Sequence, residues 1–137
     1  AALDAECNTF SRTYNIDVRF THGPQPETLP EDVALSLYRI VQEGLQNVAQ
    51  HAGAKQVRVD LEGEDGHIHL KIRDDGCGFE PDSVKDKKGL GLISMDERAR
   101  AVGGRFTITS LPNAGAEVAV VVPLRSVDEA SAHLAGR

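Results

Sequence analysis

The chain has 137 residues, 40% of them hydrophobic, which suits one globular domain with its own core. Its formal net charge is −6, from 15 basic and 21 acidic residues, so it has no general field to attract nucleic acid or an anionic membrane. No apolar run approaches the roughly 20 residues of a membrane helix. Cys7 and Cys77 form no CxxC pair, which argues against a disulfide framework or a zinc site. We expect a cytoplasmic domain whose parent protein can be membrane-anchored.

The first part of the chain predicts a helix end, a strand and a long helix. Residues 3–13 have weak helical spacing and no cap before them, which indicates the end of a longer helix. Residues 16–21 alternate between apolar and polar, as a half-buried strand does. From 30 to 52, apolar residues recur at intervals of three and four, and Gly53 provides a stop, so this segment is predicted as an amphipathic helix.

The rest of the chain predicts four more strands, one helix and one long loop. The strands share strict alternation or dense β-branched residues, and are predicted at 56–61, 67–73, 105–110 and 117–122. Residues 63–66 are turn material, so the first two of these strands should form an antiparallel hairpin. Residues 80–88 mix charge with proline and predict a surface loop. A helix is predicted from 90 to 102, before Gly103-Gly104.

A polar stripe runs along the long helix. Glu43, Asn47 and His51 are spaced by four and fall on the flank of the apolar arc. The amide oxygen of Asn47 is the type of ligand that suits Mg²⁺, and Glu43 could orient or deprotonate a bound water or hydroxyl. On its own, such a stripe is more typical of a solvated helix edge.

Asp74 and the glycines after it stand where the second hairpin strand ends. Asp75-Gly76 alone is a common two-residue hairpin turn. The segment 80–83 has proline and charges where a return strand would alternate, which favours a site here instead. The Asp74 carboxylate could accept a hydrogen bond from an adenine amino group, and Gly76 and Gly78, without Cβ atoms, would let a flat base approach the backbone.

Gly89 and Gly91 immediately precede the last predicted helix. The first free N–H groups of a helix and its positive dipole end favour an anion, and phosphate oxygens are the obvious ligand. Lys85, Lys87 and Lys88 could reach the same phosphates. A lone GxG is a weak signal, and a lysine run is also typical of a merely solvated loop.

Three patterns occur in a fixed order along the chain. They are Glu43-xxx-Asn47-xxx-His51, Asp74-x-Gly76-x-Gly78 and Gly89-x-Gly91-xxx-Met95-x-Glu97-Arg98. Together they resemble the N, G1 and G2 boxes of histidine-kinase ATP-binding domains. The sequence LYRIVQE at 37–43, followed by Asn47 and His51-Ala52, resembles the NarL-partner subfamily of sensor kinases in the GHKL ATPase superfamily. The resemblance covers about residues 14–124.

The resemblance implies a two-layer α/β sandwich of the Bergerat fold. A mixed sheet of about five strands would pack on about three helices, with an ATP lid at residues 80–90. The chain would then divide into a remnant of a linking helix at 1–14, the histidine kinase-like ATP-binding domain at 15–124 and a flexible C-terminal tail at 125–137.

The resemblance also implies roles for individual residues. Asn47 would hold Mg²⁺ and act in catalysis with Glu43, a possible polarising base. Asp74 would recognise the adenine amino group, and Gly76 and Gly78 would shape the base pocket. Further contacts to ATP are expected from His51, Lys88, Gly89, Gly91 and Leu92. As a single residue, His51 is equally typical of a packing histidine.

One loop departs from the family pattern. Before the last strand, the family usually reads Pro-Gly-x-Gly-Thr, whereas this chain has Asn113 and Ala116 in Pro112-Asn113-Ala114-Gly115-Ala116. A hydroxyl is therefore missing at Ala116. Losing one ordinary hydrogen bond changes binding by roughly 0.5 to 1.5 kcal/mol, so weaker nucleotide binding is expected with the fold intact.

The phosphate acceptor is expected outside this chain. In such kinases the accepting histidine is typically followed by Asp or Glu, whereas the five histidines here precede Gly23, Ala52, Ile68, Leu70 and Leu134. The resemblance thus implies an enzyme fragment that binds Mg-ATP and supplies the γ-phosphoryl group to a histidine on a separate dimerisation domain of the same parent protein. A response regulator would receive it indirectly. The fragment is expected to be monomeric and the parent homodimeric.

Two other functions stay open. The missing acceptor and Ala116 also suit a catalytically weak nucleotide-binding module, such as a pseudokinase or an anti-sigma-like partner. A GHKL ATPase of the gyrase, chaperone or mismatch-repair type would need further domains and a different helix sequence.

Overall fold

The computed structural model describes residues 2–23, 29–52, 55–76, 92–110 and 115–124. In chain order its elements are α1 (Ala2–Tyr14), β1 (Asp17–His22), α2 (Glu31–Asn47) with a π-helical turn at Val48–Ala52, β2 (Gln56–Glu64), β3 (His67–Asp74), α3 (Leu92–Ala101), β4 (Arg105–Ser110) and β5 (Ala116–Pro123). None of the helices in these ranges has the length and apolarity needed to cross a membrane.

The described strands form one mixed sheet in the order β1-β2-β3-β5-β4. β1 runs parallel to β2, and every other neighbouring pair is antiparallel. Alternate residues of β2 and β3 are buried, and α1, α2 and α3 cover that face of the sheet. The predicted two-layer α/β sandwich, with a five-strand mixed sheet and three helices, is confirmed.

The core lies between the sheet and the helices. Its most deeply buried aliphatic side chains come from α2, from the central strands and from α3: Leu37, Ile40, Leu45, Ile68, Leu70, Met95, Val120 and Val122. α1 belongs to the same core, because Cys7 is 1% exposed and Phe10 is 7% exposed. Burial, together with the negative charges of Asp4 and Glu6, raises the pKa of the Cys7 thiol to about 11. The segment predicted as a tail, 125–137, lies outside the described residues.

Two elements differ from the sequence prediction by more than two residues at one end. β2 continues to Glu64 because the hairpin turn is only two residues, Asp65 and Gly66, both with positive φ, as a type I′ turn requires. Gly63 is therefore paired in the strand with Ile68, although it was predicted as turn material. The helix predicted over 30–52 ends in the π-helical turn, whose i→i+5 hydrogen bonds interrupt the 3.6-residue repeat of the α-helix over the last five residues.

Two glycines permit close approaches near the end of β3. A Cβ at Gly44 would lie 2.7 Å from Ile72 Cδ1, so α2 comes closer to β3 than a side chain would allow. Gly115 has φ +86°, and a Cβ there would collide with the Asp74 carbonyl oxygen. Both contacts place neighbouring elements against the last residues of β3.

Gly115→Ala is expected to destabilise the fold by about 2–4 kcal/mol, because it adds a steric collision to the left-handed backbone penalty. Gly66→Ala is the matched control, since Gly66 also has positive φ but nothing lies within 4 Å of its Cβ position. Only the backbone cost of about 1–2 kcal/mol should then remain. Urea unfolding measures both variants. Equal losses would show that the Asp74 contact is unimportant.

Candidate functional site

Asp74 is a half-buried carboxylate at the end of β3. Its Oδ1 accepts a hydrogen bond of 2.8 Å from the backbone N–H of Gly76. Burial raises the pKa of Asp74 above its ordinary value, and the negative charge of Asp75 raises it further. Hydrogen bonds from the backbone of Gly76 and Ala116 lower the pKa and partly offset the effect of burial. The structure therefore brings Asp74 and Gly76 together, and it leaves the carboxylate only partly compensated.

Asp75 has the opposite environment and a structural task. Its Oδ1 accepts hydrogen bonds from the backbone N–H groups of Lys55 and Gln56, at 2.9 and 3.0 Å. These two bonds lower the pKa of Asp75. The Asp75 N–H in turn donates to the Gln56 carbonyl at 3.2 Å. Asp75 thus ties the start of β2 to the end of β3, which fixes the backbone beside Asp74.

From the sequence, Asp75 is expected only as a turn residue. Its partners lie 19 and 20 residues earlier in the chain, and no local pattern connects them. The available signal was a general one, because aspartate side chains near turns often accept hydrogen bonds from backbone N–H groups.

The predicted stripe on α2 begins with Glu43 and Asn47, both partly buried. Gly44, next to Glu43, packs on Ile72 two residues before Asp74, so α2 lies beside the strand that carries Asp74. His51 falls in the π-helical turn, where the four-residue spacing no longer repeats an α-helical stripe. The placement of its side chain lies outside the described part of the chain.

Glu43 makes contacts with α3 that the sequence analysis missed. The Ser94 hydroxyl donates a hydrogen bond of 2.8 Å to Glu43 Oε1, and Arg98 Nε lies 3.6 Å from the same oxygen. Glu43 Oε2 and Arg98 Nε are buried and have no hydrogen-bond partner among the described residues. The spacing of four between Ser94 and Arg98 was a usable signal, since it places both on one face of a helix.

Gly78, Lys88, Gly89 and Gly91 lie outside the described residues, as does the lid segment predicted at 80–90. Leu92 is the first residue of α3, so this helix begins directly after the Gly89–Gly91 segment. Its roles and theirs remain predictions.

Comparison with known proteins decides the family. Residues 32–126 match the model of the histidine kinase-, DNA gyrase B- and HSP90-like ATPases. The chain belongs to this family. Family membership implies that it binds ATP.

Curated relatives show which kind of ATPase domain this is. The chain is 37% identical over 117 residues to the signal transduction histidine-protein kinase/phosphatase DegS of Brevibacillus brevis, covering 85% of this chain and 30% of DegS. It is 34% identical over 113 residues to the sensor protein VraS of Staphylococcus aureus, covering 82% of this chain and 32% of VraS. The chain spans about a third of these relatives. It is the histidine kinase ATPase domain of a two-component sensor kinase.

Solved structures share the fold. The ATP binding domain of PrrB from Mycobacterium tuberculosis superimposes with a TM-score of 0.75 at 24% identity, covering 91% of this chain and 93% of that one. The histidine kinase domain of the blue-light activated kinase EL346 from Erythrobacter litoralis gives a TM-score of 0.75 at 19% identity, covering 89% and 59%. These similarities support the sandwich architecture.

The lowered pKa of Asp75 predicts how its contribution to stability depends on pH. Because folding favours its ionised form, the contribution is present above the ordinary value near 3.8 and is lost as the pH falls through the lowered value. The variant Asp75→Asn should be about 0.5–1 kcal/mol less stable at pH 7, since the exposed carboxylate loses only charge assistance. Urea unfolding from pH 7 to pH 3 should show this difference shrinking. A constant difference would contradict the assignment.

Proposed function

We propose that this domain binds Mg-ATP and supplies the γ-phosphoryl group for autophosphorylation of a histidine on a separate dimerisation domain of the same parent protein. The observation that carries the proposal is the half-buried Asp74 carboxylate, held by backbone N–H groups at the end of β3 inside the family-matched segment. The response regulator would receive the phosphoryl group from that histidine. We place the domain in the cytoplasm, with no nucleic acid partner.

Asp74 is suited to recognise adenine. An ionised carboxylate has about four acceptor positions, so two backbone donors leave room for an exocyclic amino group. Its raised pKa indicates that burial is only partly offset by those donors, and a further donor would stabilise the charge. Gly76 is buried and has no Cβ, which suits the close approach of a flat base.

Asn47 and Glu43 are the proposed catalytic residues. The Asn47 amide oxygen is a suitable Mg²⁺ ligand, and the metal would supply neutralising charge at the phosphate oxygens. Glu43, one turn earlier, is the proposed polarising base. Around the phosphates, the proposed contacts are His51, Lys88, Gly89, Gly91 and Leu92. Because phosphoryl transfer depends on positioning and charge stabilisation, these residues need the acceptor domain to complete the reaction.

Mg-ADP should raise the melting temperature of the domain. At about 100 times the dissociation constant, binding to the native state adds about 2.7 kcal/mol, which corresponds to a rise of roughly 10 °C for a domain of this size. The rise should be smaller when EDTA removes Mg²⁺. An unchanged melting temperature with saturating Mg-ADP would contradict nucleotide binding.

Labelled ATP, together with a dimerisation hairpin from a kinase of the same subfamily, should yield acid-labile phosphohistidine on the hairpin. The control is a hairpin with its acceptor histidine replaced by glutamine. Nucleotide binding without any phosphohistidine would favour the nucleotide-binding module instead.

Asp74→Asn should weaken ADP binding by about tenfold or more without lowering the melting temperature of the free domain. Folding disfavours the charged Asp74, so at pH 7 removing the charge should leave stability equal or slightly higher, whereas a charge-assisted hydrogen bond to the base is lost. Calorimetric titration and thermal unfolding measure the two effects. Asp17→Asn, on the open face of the sheet, is the control. Equal ADP affinity for variant and parent would argue against the role of Asp74.

A further inference from the structure

We propose that Ser94 and Arg98 of α3 are positioning residues, which hold the Glu43 carboxylate in its working orientation. This inference rests on the proposed function of the domain. We refer to Glu43, Ser94 and Arg98 together as the α2–α3 clamp.

Both α3 side chains converge on one oxygen of Glu43. The Ser94 hydroxyl donates a hydrogen bond to Oε1, and Arg98 Nε forms an ion pair with the same oxygen at 3.6 Å. A glutamate side chain has three rotatable bonds and would otherwise sample several orientations. Because Oε1 accepts the Ser94 hydrogen bond and pairs with Arg98, fewer orientations are open to the Glu43 carboxylate.

The second oxygen is the informative one. Glu43 Oε2 is buried, yet it accepts no hydrogen bond from the described residues. A buried carboxylate oxygen without a donor is costly, and in a native structure such an atom calls for an explanation. The arrangement of Glu43 suits a carboxylate oxygen that can accept a hydrogen bond from an N–H or O–H group once the reactants are bound.

The backbone of Glu43 is fixed from the other side. Gly44 packs directly on Ile72 of β3, so α2 cannot shift towards the sheet. α3 begins at Leu92, directly after the Gly89–Gly91 segment, and Ser94 lies in its first turn. The clamp therefore connects the proposed base to the helix that follows the proposed phosphate-binding glycines.

The chain offers a matched control for the ion pair. Arg100 lies on α3 two residues after Arg98 and pairs with Asp96 of the same helix at 3.1 Å, so it forms an ion pair that does not reach α2. Arg100→Met therefore removes the same kind of side chain as Arg98→Met without touching the clamp.

The experiment compares four single variants with the unsubstituted domain: Ser94→Ala, Ser94→Thr, Arg98→Met and Arg100→Met. It measures the Kd for Mg-ADP, the melting temperature, and kcat and KM for phosphorylation of the supplied hairpin. We expect Ser94→Ala and Arg98→Met to lower kcat by about tenfold or more, because small misplacements of a catalytic group have large effects. Their Kd for Mg-ADP should stay within about twofold of the parent, since nucleotide binding does not require the orientation of Glu43. Ser94→Thr should restore most of the rate, and Arg100→Met should match the parent.

A second comparison separates positioning from simple stabilisation. In a Glu43→Gln background, Ser94→Ala should cause no further loss of kcat, because groups that act as a unit are non-additive. Additive losses, or a lower melting temperature with kcat unchanged in the single variants, would overturn the proposal. If the unsubstituted domain binds no Mg-ADP, the proposed function fails and the positioning role fails with it. If the unsubstituted domain binds Mg-ADP and phosphorylates the hairpin, and the clamp variants do so equally well, only the positioning role is wrong.

Discussion

The structure depends on how tightly the last residues of β3 are held. β3 is the central strand, paired with β2 on one side and β5 on the other, and its inward side chains Ile68, Leu70 and Ile72 are almost fully buried. Gly44 lets α2 rest on Ile72, and Gly115 lets the start of β5 rest on the Asp74 carbonyl. A helix, a neighbouring strand and the sheet therefore fix one short piece of backbone. Closely packed protein interiors have low compressibility, so the backbone that carries Asp74 is held as rigidly as the core.

The adjacent residues Asp74 and Asp75 have opposite electrostatic environments. The pleat of a strand sends neighbouring side chains to opposite faces, so Asp74 faces the helical layer while Asp75 stays near the open face. Burial dominates the environment of Asp74, and hydrogen bonds from two backbone amides dominate that of Asp75. Folding therefore disfavours one charge and favours the other. This contrast supports the proposed binding role of Asp74 and the structural role of Asp75, because strongly perturbed carboxylates are frequent at functional sites.

Much of the fold could be predicted from sequence periodicity, because strands and helices bury one face each. The apolar spacing of α2 and the alternation in β2 and β3 carry that information directly. The ordered polar patterns also identified Asp74 and Gly76, which the structure joins by a hydrogen bond. Periodicity does not reveal contacts between residues that are far apart in the chain. Ser94 and Glu43 are 51 residues apart, and no local pattern shows that their helices face each other. The length of β2 was missed because a type I′ turn needs only two residues.

The burial of Cys7 makes this thiol a natural probe of the packing of α1. Thiol reagents attack the thiolate, and a buried group with a pKa of about 11 is almost entirely protonated and shielded at neutral pH. Labelling of Cys7 therefore requires α1 to detach from the core. With Cys77 replaced by serine, the labelling rate would report the free energy of that local opening, separately from global unfolding.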